Sequence, residues 1–189
     1  MILKKMIQNL LEVFLNKRPL VVMLLILSMG VTAQNKSLSR LIKESNSSID
    51  SIRIESLGKL SFKYLHQDMD SAKMFIHLFF DAAVNSGDTH QIARGHYYKA
   101  IYHYYQGNLD SAIFMNKKTL TVYEKTNYLK GVAGCTNLMA QLFKGQARYD
   151  SALIYYQKSL EVAKISVDSV HAATVLGNIS VLYSNALGD

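Results

Sequence analysis

The sequence predicts an all-α fold, a solenoid of antiparallel helix pairs with about three and a half repeats. The triplet Asp-Ser-Ala occurs three times, starting at Asp70, Asp110 and Asp150, so the interval is the same both times. Other residue types recur at this repeat interval: Ala93, Ala133 and Ala173; Ala100, Ala140 and Ser180; His103, Phe143 and Tyr183; Phe80, Leu120 and Leu160. A fixed period of this size is typical of helical repeats, in which each unit buries its apolar face against its neighbours.

The N-terminus forms a separate segment. Four basic residues precede an apolar run from Leu20 to Met29, and small residues follow it up to Ala33. This order is typical of a secretory signal peptide, residues 1–33, cut after Ala33. The alternative is an uncleaved membrane tether, although the apolar run is about half of the roughly 20 residues that a spanning helix needs. We therefore expect an exported protein of the periplasm or cell envelope.

The charge of the remaining chain is modest. Residues 1–33 hold four of the 21 basic residues and one of the 14 acidic residues, so 17 and 13 remain, a net charge of +4. No run of Lys and Arg follows the apolar segment, and nucleic-acid binding is not expected. Cys135 is the only cysteine. It cannot form an internal disulfide, and its place on an apolar helix predicts a buried thiol.

The chain after the signal segment divides into a cap and a repeat domain. Residues 34–50 are expected to form an N-terminal capping segment with a short helix. The repeat domain is expected at 51–189, with units at about 51–87, 88–127, 128–167 and, incomplete, 168–189. The first unit is less regular, since its turn at residues 66–69 is one residue short. A degenerate terminal unit is common in repeat proteins.

The second unit shows the expected helix pair most clearly. Asp88 followed by Gln91 is a helix start signal, and apolar residues then recur at helical spacing up to Tyr105. Gly107 and Asn108 end this helix and open a tight turn. The later helices are expected at about residues 109–125, 132–144, 149–165 and 168–186. The three repeated aspartates are interpreted as helix-start residues, not as general acids.

Small residues recur where the two helices of a pair should cross. Ala100 faces Ala112 in the second unit, and Ala140 faces Ala152 in the third. Helices joined by a short turn approach closely near that turn, so a bulky side chain there would push their axes apart. The rings at the His103 register position are expected to fill the space where the helices diverge.

The residues of these units resemble the tetratricopeptide repeat (TPR) family. The matching residues of the third unit are Met139, Ala140, Phe143, Arg148 to Ala152, Tyr156 and Ser159. The resemblance covers roughly residues 51–189 and implies a right-handed solenoid that binds proteins or peptides. The usual unit of the family has about 34 residues, whereas the interval here, from Asp110 to Asp150, is longer. Long units of this kind are similar to those of bacterial envelope sensor and regulator proteins.

The resemblance also implies a ligand groove lined by the first helix of each pair. The matching positions are Arg94, Tyr97, Ile101, Tyr104, Tyr105, Asn137, Gln141 and Lys144, with Gly134, Thr174, Gly177, Val181 and Ser184 beside them. An extended peptide or a helix would lie there, with the tyrosines as anchors. The alternative is that these tyrosines only pack between units.

No constellation of residues predicts an enzyme. His96 and His103 are seven residues apart on one helix, whereas zinc ligands on a helix prefer a spacing of three or four with a further acidic or Cys partner. No phosphate-binding loop and no nucleophile motif occurs. We therefore predict no catalytic residue, no cofactor and no metal.

The sequence predicts an exported repeat module that binds a protein or peptide, as the sensor or scaffold part of a bacterial signalling or regulatory protein. The alternative is a structural protein of the cell envelope that assembles with itself and has no peptide ligand. In the last helix the side expected to be uncovered comprises Val175, Ile179, Leu182 and Tyr183. That helix either docks on something else, such as another copy, or the chain is a fragment of a larger kinase or transcription regulator.

Overall fold

The structure, a computed structural model, describes residues 36–187. This part of the chain contains eight helices and no strand: α1 Lys36–Glu44, α2 Asp50–Tyr64, α3 Met69–Ser86, α4 Thr89–Tyr105, α5 Leu109–Lys125, α6 Leu129–Gly145, α7 Tyr149–Ile165 and α8 Ser169–Leu187. The predicted signal peptide lies outside the described residues. The chain divides into two compact units, and the boundary between them falls after Lys59, within α2.

The first unit comprises α1 and the beginning of α2. Leu38 and Ile42 of α1 are both 4% exposed. The hydroxyl of Ser56 donates a hydrogen bond to a carboxylate oxygen of Glu44 at 3.1 Å, which links the two helices. The predicted capping segment thus contains one short helix, and α2 begins at Asp50.

The backbone of the second unit repeats once per helix, whereas the side-chain pattern repeats once per pair of helices. Helices α3 to α8 start at Met69, Thr89, Leu109, Leu129, Tyr149 and Ser169. Each helix from α4 to α7 has 17 residues. Consecutive helices pack against each other from α3 through α8. The prediction of an all-α chain in which successive helices pack together is therefore confirmed for the described residues.

A residue in the left-handed conformation ends each helix from α3 to α7. The five residues and their φ angles are Gly87 at 69°, Gly107 at 75°, Asn127 at 51°, Ala147 at 57° and Val167 at 54°. In the last four of these connectors the following N–H reaches back five residues, as in the 2.9 Å bond from Asn108 N to the His103 carbonyl. The same bond recurs from Asp168 N to the Ala163 carbonyl at 2.9 Å. This arrangement satisfies carbonyl groups that a helix end otherwise leaves without partners.

A hydrogen bond between the helices of a pair recurs at the repeat interval. The hydroxyl of Thr119 on α5 donates to the carbonyl of Ala93 on α4 at 3.0 Å. The hydroxyl of Ser159 on α7 donates to the carbonyl of Ala133 on α6 at 2.7 Å. Both hydroxyl residues are fully buried. The second helix of each of these pairs therefore seats on the backbone of the first in the same register.

The small residues predicted at the helix crossings are fully buried. Ala100 and Ala112, and likewise Ala140 and Ala152, are each 0% exposed. Beside this crossing, the rings of Phe143 and Tyr155 lie 5.3 Å apart, centroid to centroid. The burial of the small residues is as the sequence predicted, but the expected position of the ring is wrong, because Phe143 lies on the turn side of Ala140.

Two sequence expectations are corrected. Helix α6 begins at Leu129, three residues before the expected Val132, because the connector 126–128 is as short as those at 106–108, 146–148 and 166–168. The expected uncovered side of α8 is wrong for three residues. Val175 is 0% and Leu182 3% exposed, and Ile179 packs against their core cluster together with residues of α7.

Candidate peptide-binding surface

The predicted groove positions lie on α4 and α6, the first helices of two successive pairs, and these helices contact each other. The Tyr97 hydroxyl of α4 lies so close to Gly134 of α6 that a Cβ at that glycine would be 3.2 Å from it. The amide of Asn178 on α8 donates to the side-chain oxygen of Asn137 on α6 at 3.0 Å. The first helices α4, α6 and α8 are thus linked side by side through residues predicted to line the groove.

Arg94 is occupied within the protein. Its Nε donates to the hydroxyl of Tyr98 at 2.8 Å, and its guanidinium lies 5.5 Å from the ring centroids of both Phe79 and Tyr98. These contacts join α4 to α3 and fix the guanidinium by a hydrogen bond and two cation–π interactions. Arg94 therefore holds the pair of helices together, and its planar fork is already engaged.

Three apolar or aromatic groove positions are largely filled by packing. Ile101 is 8% exposed, and Tyr97 and Tyr104 are half-buried. Burial raises the pKa of both tyrosine hydroxyls above the ordinary value. The alternative interpretation of the sequence, that tyrosines of α4 pack between units, therefore fits Tyr97 and the half-buried Tyr104.

Accessible groove residues remain at the C-terminal ends of the first helices. Tyr105 at the end of α4 is 46% exposed. Gln141 and Lys144 near the end of α6 are half-exposed, whereas Asn137, deeper along α6, is only 9% exposed. Among the predicted residues, the polar atoms that can reach a ligand thus lie mainly at the C-terminal ends of α4 and α6.

Tyr105 belongs to an exposed cluster that sequence reasoning missed. The aromatic patch, as we name it, comprises Phe62, His66 and Tyr105. The His66 ring lies edge-on to Phe62 at 5.3 Å and to Tyr105 at 5.6 Å, and the Tyr105 hydroxyl is hydrogen-bonded to His66 Nδ1 at 3.0 Å. Phe62 is 50% exposed. The separation of His66 and Tyr105 along the chain, close to one repeat interval, is the signal that could have paired them.

The turn beside the aromatic patch carries the cap of α3. Residues Leu65 to Met69, with Tyr105, line a shallow depression. The carboxylate of Asp68 accepts a hydrogen bond from the N–H of Ser71 at 3.1 Å and caps α3. Hydrogen bonding from Ser71 lowers the pKa of Asp68, so the carboxylate is charged next to the rings. The patch therefore offers aromatic surface and one anionic neighbour, the capping carboxylate of Asp68.

The histidines of α4 lie among aromatic side chains. His96 contacts Phe80 at 5.0 Å between ring centroids, and burial, with the charges of Lys118 and Lys99, lowers its pKa. His103 lies 5.8 Å from the Tyr102 ring. Among the described residues, no group of three or more His, Cys, Asp or Glu side chains is placed to hold a metal ion.

Cys135 is 0% exposed, as the sequence predicted. Its carbonyl accepts a 2.8 Å hydrogen bond from the side-chain amide of Asn116 on α5. Burial raises the pKa of the thiol, so the reactive thiolate is disfavoured. The residue is a core side chain between α5 and α6.

Comparison with known proteins leaves the family open. No known family model matches the chain, and no curated protein matches it. Among helices of the described residues, none is both long enough and apolar enough to cross a membrane.

Proposed function

We propose that this chain is an exported, TPR-like helical repeat module that binds a protein or peptide. The observation that carries the proposal is the combination of a row of packed helices with an exposed aromatic patch at the C-terminal end of α4. Aromatic side chains contribute much binding energy in peptide recognition, because they bury a large area with few rotatable bonds. In this proposal the solenoid is right-handed and has about three and a half repeats.

The ligand is an extended segment or helix that covers the aromatic patch and runs toward α6. Phe62 and Tyr105 supply apolar contact, and Lys144 supplies a positive charge beyond them. The preferred ligand therefore carries an aromatic or long aliphatic side chain and an acidic residue. Arg94 and Ile101 contribute by positioning α4 and do not touch the ligand.

A displayed peptide library selected on the full chain tests this proposal. The selected peptides should lose at least about tenfold in affinity with Tyr105→Ala or Phe62→Ala, because each removes an anchor ring. Phe114→Ala is the matched control, since Phe114 on α5 is also exposed, at 56%, and lies outside the aromatic patch. Circular dichroism checks that each variant folds.

Selection of no peptide above background would contradict the proposal. Equal losses from Tyr105→Ala and Phe114→Ala would contradict it as well. Export is tested separately: mass spectrometry of protein from the host envelope should give a chain that begins at Gln34. An intact N-terminus in the membrane fraction would instead support the tether.

The wider role that we propose is the sensor or scaffold part of a bacterial signalling or regulatory protein, with no enzymatic activity in this segment. The alternative is a structural protein that assembles with itself without a peptide ligand. Light scattering of the full chain separates the two, because self-assembly makes the mass depend on concentration.

A further inference from the structure

Helix α4 carries basic side chains at register positions that hold uncharged residues on α6. His96, Lys99 and His103 are spaced by three and four residues, so they lie along one face of α4. One repeat interval later, the same positions hold Thr136, Met139 and Phe143. Thr136 is 0% and Met139 1% exposed, whereas the three residues of α4 are half-exposed. Titratable groups therefore stand in the second pair where the third pair has core side chains.

Two ammonium groups are held at this face by aromatic rings of the flanking helices. The Nζ of Lys99 lies 3.3 Å from the centroid of the Phe80 ring on α3. The Nζ of Lys118 on α5 lies 4.4 Å from the centroid of the Phe114 ring of its own helix. Burial, and after it the charges of Lys118 and Lys99, lower the pKa of His96, so both ammonium groups act on that ring.

The two histidine rings have an unused donor. The Nδ1 atoms of His96 and His103 are buried and have no hydrogen-bond partner among the described residues. A proton on Nδ1 would therefore be a buried donor without a partner, which is costly, so each neutral ring carries its proton on Nε2. Each ring can then donate one N–H bond to a ligand.

The chemistry and length of this group favour an anion with more than one phosphate. The basic cluster, as we name it, comprises His96, Lys99, His103 and Lys118. Lysine binds phosphate as a point charge, and a phosphate group offers more acceptor oxygens than a carboxylate. His96 and His103 are seven residues apart, about 10 Å along the helix axis. One phosphate group is too short to reach both rings, whereas a chain of two phosphates extends along the face.

We propose that the basic cluster binds a diphosphate group, either the inorganic ion or the end of a nucleotide. Lys99 and Lys118 neutralise its charge, and the Nε2–H groups of His96 and His103 donate to oxygens at its two ends. Asp81 of α3 is the acidic residue whose charge acts on Lys99. The cluster lies where α4 contacts α3 and α5, and the proposal does not depend on peptide binding at the aromatic patch.

Isothermal titration calorimetry of the full chain with inorganic pyrophosphate tests the proposal. We expect saturable binding of one ion per chain, and Lys99→Met and Lys118→Met should each weaken it at least about tenfold. Methionine is the residue that α6 has at the register position of Lys99, and Lys118 is exposed, so both variants should fold. Circular dichroism checks this. Lys158→Met is the matched control, because Lys158 is the exposed counterpart of Lys118 one repeat later.

Nuclear magnetic resonance locates the bound ion. The imidazole signals of His96 and His103 should shift on saturation with pyrophosphate. The signals of His90 should not, because this ring of the same helix packs against Tyr123 and Tyr128, at 4.9 and 4.5 Å between centroids. Orthophosphate should bind at least about tenfold more weakly than pyrophosphate. Adenosine diphosphate that binds as tightly as pyrophosphate would support the nucleotide as the source, and weaker binding would support the inorganic ion.

Four results would overturn the proposal: no saturable binding of pyrophosphate, equal losses with Lys118→Met and Lys158→Met, equal shifts at His90 and His96, or equal affinity for orthophosphate. The second and third would mean that the ion only responds to the net charge of the chain. Library peptides that bind the aromatic patch should be unaffected by Lys118→Met, so the two proposals can fail separately.

Discussion

Helices α6 and α8 occupy the same register one repeat apart, yet the more polar residue is the buried one. Thr136 of α6 is 0% exposed, while Leu176 of α8 is 54% exposed. The hydroxyl of Thr136 is satisfied within its own helix, by the Val132 carbonyl at 2.8 Å. Burial at this register position is therefore decided by whether another described helix packs on it, and the hydrophobicity of the single residue is a poor guide to its exposure.

The largest expected effect comes from introducing a glutamate at Thr136, with the same substitution at Leu176 for comparison. Thr136→Glu should lower the free energy of unfolding by about 3 to 5 kcal/mol, because it buries an unpaired carboxylate between α6 and α7. Leu176→Glu should change it by no more than about 0.5 kcal/mol, since that residue faces solvent. Urea denaturation measures both. Equal losses would show that Leu176 is covered in the isolated chain.

Overpacking at the crossing gives a second, smaller contrast. Ala140→Leu should destabilise the protein by about 1 to 3 kcal/mol, because Ala140 is 0% exposed against α7. Ser180→Leu, one repeat later, has room and should be nearly neutral. Thermal unfolding of the two variants is the measurement, and a loss at Ser180 as large as at Ala140 would contradict the comparison.

The repeated hydroxyl bonds should contribute about equally in the two covered pairs. Thr119→Val and Ser159→Ala should each cost about 1 kcal/mol, because each removes the buried hydrogen bond to the carbonyl of the preceding helix, and each also removes a second contact, with the Met115 carbonyl and with His171 Nε2 respectively. The register position one repeat earlier is Phe79, whose ring contacts Tyr98 at 5.3 Å. Chemical denaturation should show similar losses for both variants; a loss confined to one would mean that the bonds are not equivalent.

A stabilising change is expected in the connector before α8. Val167 has a φ of 54° and is 88% exposed, so its β-branched side chain is strained and makes little compensating contact. Val167→Gly should raise the free energy of unfolding by about 0.5 to 1 kcal/mol, the strain relieved exceeding the entropy lost. Gly107→Val, at a φ of 75°, is the reciprocal control and should lower it. A higher melting temperature for the first and a lower one for the second are expected.

The smallest expected effect at neutral pH concerns Tyr156 of α7. Burial raises its pKa from 10.0 to about 12, and its hydroxyl has no hydrogen-bond partner among the described residues. Because the folded pKa is raised, this contribution to stability is complete below about pH 10 and is lost as the pH rises through about 12. Tyr156→Phe should be nearly neutral at about pH 7 and should reduce the fall in stability across this alkaline range. Unfolding curves at neutral and alkaline pH check this; an unchanged alkaline slope would contradict it.

The sequence predicted the helix pairs because the side-chain interval is visible in single residues such as Asp110 and Asp150. It did not predict the left-handed Ala147 and Val167, because neither residue type favours that conformation and only the packing of the flanking helices imposes it. The side of α8 was assigned wrongly because apolar residues occur all around that helix. The rotation of α8 about its own axis is set by its packing against α6 and α7, as the buried Val175 shows.

For the candidate surface, the positions on α4 and α6 were predicted but their accessibility was not. Arg94 is engaged by Tyr98, a neighbour whose role depends on where α3 lies. The aromatic patch joins residues of two helices and a turn, and no short motif contains them. Contacts over one whole repeat emerge only when the helices are placed side by side.

Because the backbone repeats with every helix, the main chain cannot distinguish the first helix of a pair from the second. A chain slipped by a single helix would keep the length and the turn of every connector from Gly107 to Val167. It would, however, bring Ser159 to a helix that lacks the matching alanine and would crowd the crossing at Ala152. Only the side chains therefore distinguish the first helix of a pair from the second. Substitutions that make successive helices more alike should favour misfolded chains in which each helix occupies the place of its neighbour.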